Sequence, residues 1–139
     1  MEKGKSIDQI KVGDFYESIT IVSDQMIKDF AAATGDDNPI HLDDAAGAAS
    51  IFKKRVAHGM LTAGFISAIF GAKFPGVGTI YLGQTLKFMK PVFPGDSITC
   101  RVEVTEILAD KNRINLNTTA KNQNGDTVLA GEAQVMPPR

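Results

Sequence analysis

Gly59-Met60-Leu61-Thr62-Ala63-Gly64-Phe65-Ile66-Ser67-Ala68-Ile69-Phe70-Gly71-Ala72-Lys73-Phe74 is the stretch on which the fold turns, and Pro75-Gly76 closes it. Its residues are apolar almost all round the helical repeat, and such a helix belongs inside a domain rather than on its surface. Extended back to Val56, the mainly apolar run to Ala72 is still about one turn short of the ~20 residues a membrane span requires, and it carries His58, Thr62 and Ser67. A buried central helix over 59–74 is expected, and no membrane partner.

Beyond it the pattern changes to period two. Ile98, Cys100, Val102 and Val104 fall on one strand face, and Thr99, Arg101, Glu103 and Thr105 on the other. Strands are expected over 79–89, 97–108, 113–122 and 127–135, joined at Pro94-Gly95-Asp96, Asp110-Lys111-Asn112 and Asn124-Gly125-Asp126. The last two joints have hairpin length. Before the helix, residues 15–22 read as a strand and 24–34 as a short helix, with Ser23 at its N-cap and Gly35 at its left-handed C-terminal position. Residues 43–50 read as a further short helix, and Lys53-Lys54-Arg55 as a solvated basic trio. Asp36-Asp37-Asn38-Pro39-Ile40-His41 is expected to be a shaped loop, because proline disfavours helical geometry in the residue before it. One buried helix with four or five successive antiparallel strands is an α+β pattern in which a curved sheet wraps the helix, one domain over 1–139. Such a sheet leaves edges, and pairing them across a two-fold axis would cover them, so a homodimer is expected.

Composition narrows the function. The 139 residues carry 15 Lys or Arg against 16 Asp or Glu, a formal charge of −1 with no basic block, so the electrostatic footprint for nucleic acid is missing. With Cys100 as the one cysteine, neither an internal disulfide nor a thiolate metal cage can form within the chain, and a reducing cytoplasm is the simplest home. The first nine residues hold no apolar run of the secretory kind.

Both histidines lie in the first 60 residues, each at a loop touching a helix end, and His41 follows Asp36 by five positions. Pro39 fixes one backbone angle and Asn38 can bond neighbouring backbone groups, so Asp36 and His41 can be turned towards one point as a proton-transfer pair. Equally, Asp36 can cap a turn and His41 be a satisfied structural histidine; spacing leaves both readings standing. At the start of the central helix, the amides of Gly59 and Met60 would be unpaired first-turn donors backed by the helix dipole, a place that welcomes an oxyanion. Gly59 can also be there only for close packing. Ser67, two turns on, can orient substrate or the Asp36 carboxylate, or bond back to a helical carbonyl. Gly76-Val77-Gly78 precedes a strand and lacks a third glycine, so it is no dinucleotide loop. No zinc-type spacing and no Gly-x-Ser-x-Gly elbow is present, and no metal is expected.

Thr34-Gly35-Asp36-Asp37-Asn38-Pro39-Ile40-His41 followed by Val56-Ala57-His58-Gly59-Met60-Leu61 resembles the (R)-specific enoyl-CoA hydratases, the MaoC-like hot-dog family. Tyr81-Leu82-Gly83-Gln84 and Lys90-Pro91-Val92-Phe93-Pro94-Gly95-Asp96 extend the resemblance over nearly the whole chain. It implies a hot-dog fold, a homodimer, and reversible syn addition of water to a trans-2-enoyl-CoA to give an (R)-3-hydroxyacyl-CoA. It further implies that Asp36 and His41 activate the water, the Gly59 amide holds the thioester oxygen, Ser67 and Asn38 support the site, and His58 is structural. No cofactor is implied, since CoA is part of the acyl-CoA substrate. Polyhydroxyalkanoate monomer supply, fatty-acid oxidation and other acyl-CoA routes all meet that reaction. Two departures stand out: Asp37 where bacterial relatives often carry an aromatic or apolar residue, and Arg55 where they often carry proline. A hot-dog thioesterase and a non-catalytic acyl-CoA binding protein are the rival expectations. Phe70, beyond Ser67, is expected to block a deep acyl tunnel and favour short chains.

Overall fold

The computed structural model describes residues 2–139. Along them run β1 (Phe15–Ile21), α1 (Asp24–Thr34), α2 (Pro39–Leu42), α3 (Asp44–Ala49), α4 (Gly59–Ala72), β2 (Ile80–Gln84), β3 (Lys87–Phe88), β4 (Ser97–Leu108), β5 (Arg113–Lys121) and β6 (Thr127–Met136). The strands form one antiparallel sheet in the order β1-β4-β5-β6-β2, with β3 also pairing β6.

The expected alternation on β4 is what builds the core. Ile98, Cys100, Val102 and Val104 are each at most 1% exposed, and the ladder sets Cys100 opposite Ala120, Val102 opposite Thr118 and Val104 opposite Leu116. Ile66, Ile69 and Phe70 of α4 pack into the same cluster. Burial pushes the Cys100 thiol up to about 12, because the charged thiolate would lose its solvation there.

The structure corrects several expectations. The strand over 97–108 carries a bulge: Val104 pairs with Leu116 but Glu106 with Asn115, so Thr105 is passed over and the alternation slips. The strand expected over 79–89 is two short ones, bent where β6 passes so closely that a Cβ on Gly131 would lie 1.8 Å from the Thr85 carbonyl oxygen. Residues 36–41 are not wholly loop, since α2 starts at Pro39. A proline in the first helical position gives up an N–H that has no partner there anyway, and the restriction it imposes falls on Asn38, which stays non-helical and caps the turn by accepting the Ile40 N–H (3.3 Å). Arg55 is not solvated with its lysine neighbours: its side chain is 17% exposed and pairs with Asp24 and Asp44 at 2.6 Å each. Finally, α4 is not enclosed all round. Gly64, Ser67, Ala68 and Gly71 make an exposed flank, because the sheet stops at β2, and hydropathy records that residues are apolar without saying which side is covered.

The edges fall at β1 and β2, with Ile80, Tyr81 and Leu82 exposed along the second. Among the described residues no helix is long and apolar enough to cross a membrane.

Candidate active site

Ser23 caps α1 by accepting the Met26 N–H (3.1 Å), and Gly35, at φ 81°, ends the helix in the left-handed region. This turn delivers Asp36 just outside the helix, its N–H donated to Thr34 Oγ1 at 3.2 Å and its side chain exposed. One capped turn later α2 presents His41, only 8% exposed. The His41 Nδ1 lies 2.7 Å from the Val56 carbonyl. A carbonyl only accepts, so Nδ1 carries the proton, and in the neutral ring Nε2 keeps its lone pair. His58, the residue before α4, donates from Nε2 to the Asp36 carbonyl (2.9 Å), and its ring stacks on His41 with centroids 3.8 Å apart and meets the Phe30 ring at 4.7 Å with a tilt of 49°. One ligating atom from each of Asp36, His41 and His58 lies within 4.8 Å of the others. A water bonded to two such atoms at ~2.8 Å with a tetrahedral angle needs them about 4.6 Å apart.

These residues line a cavity of about 360 Å³, together with Gly59, Met60 and Thr62 of α4, Phe88 of β3, Lys90, and Val128 and Leu129 of β6. His58 makes no side-chain cap on α4, so the Gly59 and Met60 amides are left to the cavity with the positive end of the helix dipole behind them. At Gly59 a Cβ would sit 2.6 Å from the Phe88 ring, so glycine lets that ring close over the helix end. The packing role and the open amides coexist.

Residues 10–126 match the family described as MaoC like domain. The chain belongs to the MaoC-like family. It is 41% identical over 131 residues to the (R)-specific enoyl-CoA hydratase of Rhodospirillum rubrum, covering 94% of this chain and 90% of the relative. It is 46% identical over 109 residues to the (R)-specific enoyl-CoA hydratase of Aeromonas caviae, covering 78% and 81%. An unliganded R-hydratase from Pseudomonas aeruginosa superposes with a TM-score of 0.93 at 43% identity, over 98% of this chain and 87% of the other. The fold is the hot-dog fold that the resemblance implies, with the antiparallel sheet laid around α4.

In this MaoC-like chain Asp36, His41, His58 and Gly59 come together, and Asn38 stands beneath them as the α2 cap. Ser67 is not brought in; it lies on the open flank of α4, away from the cavity lining. Phe70 is 1% exposed in the core, edge-on to Tyr81 at 5.0 Å, and it too stands outside that lining. Tyr81 is exposed only in part, and the burial of the rest of its side chain raises its hydroxyl to about 12. Asp37 is exposed, whereas Arg55 reaches the back of the site by donating to the His41 carbonyl (3.1 Å). A ring nitrogen's lone pair lies in its ring plane, and with centroids 3.8 Å apart and planes 27° apart the His41 and His58 planes do not meet at ligand distance, so the two rings as stacked do not share one ion. The cavity wall from Phe88, Lys90, Val128 and Leu129 escaped the sequence reading, because strand pairing alone carries β3 and β6 to α4, and no local motif marks it.

Proposed function

We propose that this protein is an (R)-specific enoyl-CoA hydratase, a hydro-lyase that adds water syn across a trans-2-enoyl-CoA to form an (R)-3-hydroxyacyl-CoA and runs the dehydration in reverse. The observation that carries the reading is the uncapped first turn of α4 opening onto the same cavity as the Asp36 carboxylate and the His41 ring. The chemistry makes three demands: water must lose a proton as its oxygen bonds to Cβ, Cα must gain one, and the thioester oxygen must carry enolate charge in between. Asp36 and His41 Nε2 hold the water, take one proton from it and return one to Cα, acting as one coupled pair. The Gly59 N–H faces the thioester oxygen, where preorganised donors stabilise developing charge. The C–O and C–H bonds form on one face of the double bond because both protons pass through groups on one wall of the cavity. No cofactor enters beyond the CoA that the substrate carries.

The reading includes a homodimer in which the exposed β2 edge pairs across a two-fold axis and the flank of Gly64, Ser67, Ala68 and Gly71 is covered. A thioesterase would use a carboxylate and a helix N-terminal amide as well, but has no call for the stacked histidines; the names of the relatives also favour hydration.

Crotonyl-CoA tests the proposal. Loss of enoyl-thioester absorbance with (R)-3-hydroxybutyryl-CoA as product is expected, and no thiol release from butyryl-CoA. Constant absorbance, or thiol release, overturns it.

A further inference from the structure

His58 touches both members of the proposed pair, yet neither of its ring nitrogens is open to a substrate. Nε2 is committed to the Asp36 carbonyl, and Nδ1 is buried without a hydrogen-bond partner. The ring as a whole is 2% exposed. The ring borders the cavity, but with Nε2 spent on a backbone carbonyl and Nδ1 buried it offers a molecule there no free nitrogen for trading protons. It can fix the geometry of the groups that do.

Two contacts do different work. The bond to the Asp36 carbonyl spans 22 residues of chain. The other hydrogen bonds of residues 35–38 stay local: Gly35 to Ala31, Asp36 to Thr34, Asp37 to Gly35, Asn38 to Asp36, Ile40 and His41 to Asn38. So among the described residues His58 supplies the hydrogen bond that ties this exposed loop to α4. The second contact is the stack. His41 is held at one nitrogen by Val56, which leaves its ring free to tilt about that bond, and the stacked face of His58, 3.8 Å away at 27° between planes, limits that tilt and so the plane in which Nε2 points. Phe30, packed on the other partner at 4.7 Å, keeps the His58 ring from following.

We propose that His58 is a positioning residue, holding Asp36 through its backbone carbonyl and His41 through ring stacking. The inference rests on the assignment of Asp36 and His41 as the working pair, and it assigns His58 no contact with substrate.

His58→Phe keeps a stacking ring and removes the donor; His58→Gln keeps a donor and removes the ring. With crotonyl-CoA, each is expected to lower kcat by between about 10- and 100-fold, as a small misplacement of reacting groups does, with KM near the wild-type value. Melting curves identify any variant that has not folded, and His58→Asn replaces it. Wild-type kcat in both folded variants, or a loss confined to KM, overturns the proposal. A second readout does not depend on catalysis. The chain has two histidines, so ring nitrogen NMR separates them directly. In the wild type His41 should show the Nδ1–H tautomer and His58 the Nε2–H tautomer; His58→Phe should preserve the His41 signature and His58→Gln should disturb it. An undisturbed His41 ring in His58→Gln counts against the stack. If the wild-type protein fails to hydrate crotonyl-CoA, the hydratase reading falls and these spectra still decide whether His58 positions His41.

Discussion

The β4-β5-β6 sheet and the overhanging segment 24–58 are held by opposite chemistry. In the sheet, alternate residues such as Ile98, Val102, Ile114 and Leu116 are wholly buried, and the bonds between side chains that cross these strands, Asn115 to Glu106 and Gln134 to Asn115, belong to other residues than these. In the overhang few side chains are buried, Ile27 and Ala31 among them, and the shape comes from caps, from the Val56 and Asp36 carbonyls taken by histidines, and from Arg55 clamped to Asp24 and Asp44. Burial is non-directional and resists unfolding; hydrogen bonds are directional and set atoms to a fraction of an ångström. Stability and chemistry are therefore separable by mutation here.

The sharpest separation is expected at the pair itself. Asp36→Asn should lower turnover by about 10²–10⁴-fold while the melting temperature stays close to wild type, because Asp36 is exposed and asparagine keeps its shape; His41→Gln should lower turnover as far but melt somewhat earlier, because it removes a buried ring stacked on His58. Steady-state kinetics beside a thermal melt checks both halves, and near-wild-type turnover in either variant removes it from the mechanism. The converse belongs to the sheet. Leu116→Ala should cost about 2–5 kcal/mol in urea unfolding, since Leu116 is fully buried opposite Val104, while the protein that remains folded keeps its rate per site.

Arg55 lies at the boundary and should give the smallest effect. Hydrogen bonding to Arg55, then to Lys28, holds the Asp24 carboxyl below its ordinary 3.8. A carboxylate depressed in the folded state adds stability above its unfolded value and loses it as pH falls through the folded one, so Arg55→Met should melt slightly earlier at neutral pH and by a smaller margin in acid below both values, where the bond to the His41 carbonyl is what remains to lose. A pH series of melts on the two proteins shows this. Equal gaps at every pH would mean that Arg55 acts by packing alone.

Much of this division can be read from the chain before folding is considered. The alternation on 98–104, the cap signals Ser23 and Gly35, and the Asp36-to-His41 spacing are local, and each reports a local physical constraint: pleat, orphan N–H groups, a fixed proline angle. Pro39 shows how such a signal can be misread, since the same ring that keeps Asn38 out of a helix suits the first residue of one. Arg55 looked solvated because its acceptors lie 31 and 11 residues away, beyond any pattern of near neighbours.

The central helix, the strand periods and the family can be read from the residues alone, because they depend on which residue types recur at which short spacing. It takes the folded chain to show that α4 keeps one flank open, that Phe88, Val128 and Leu129 wall the cavity, and that two histidines 17 positions apart stack. Those facts depend on where the sheet ends and how its strands return to the helix, and proximity made by chain return leaves no period in the sequence.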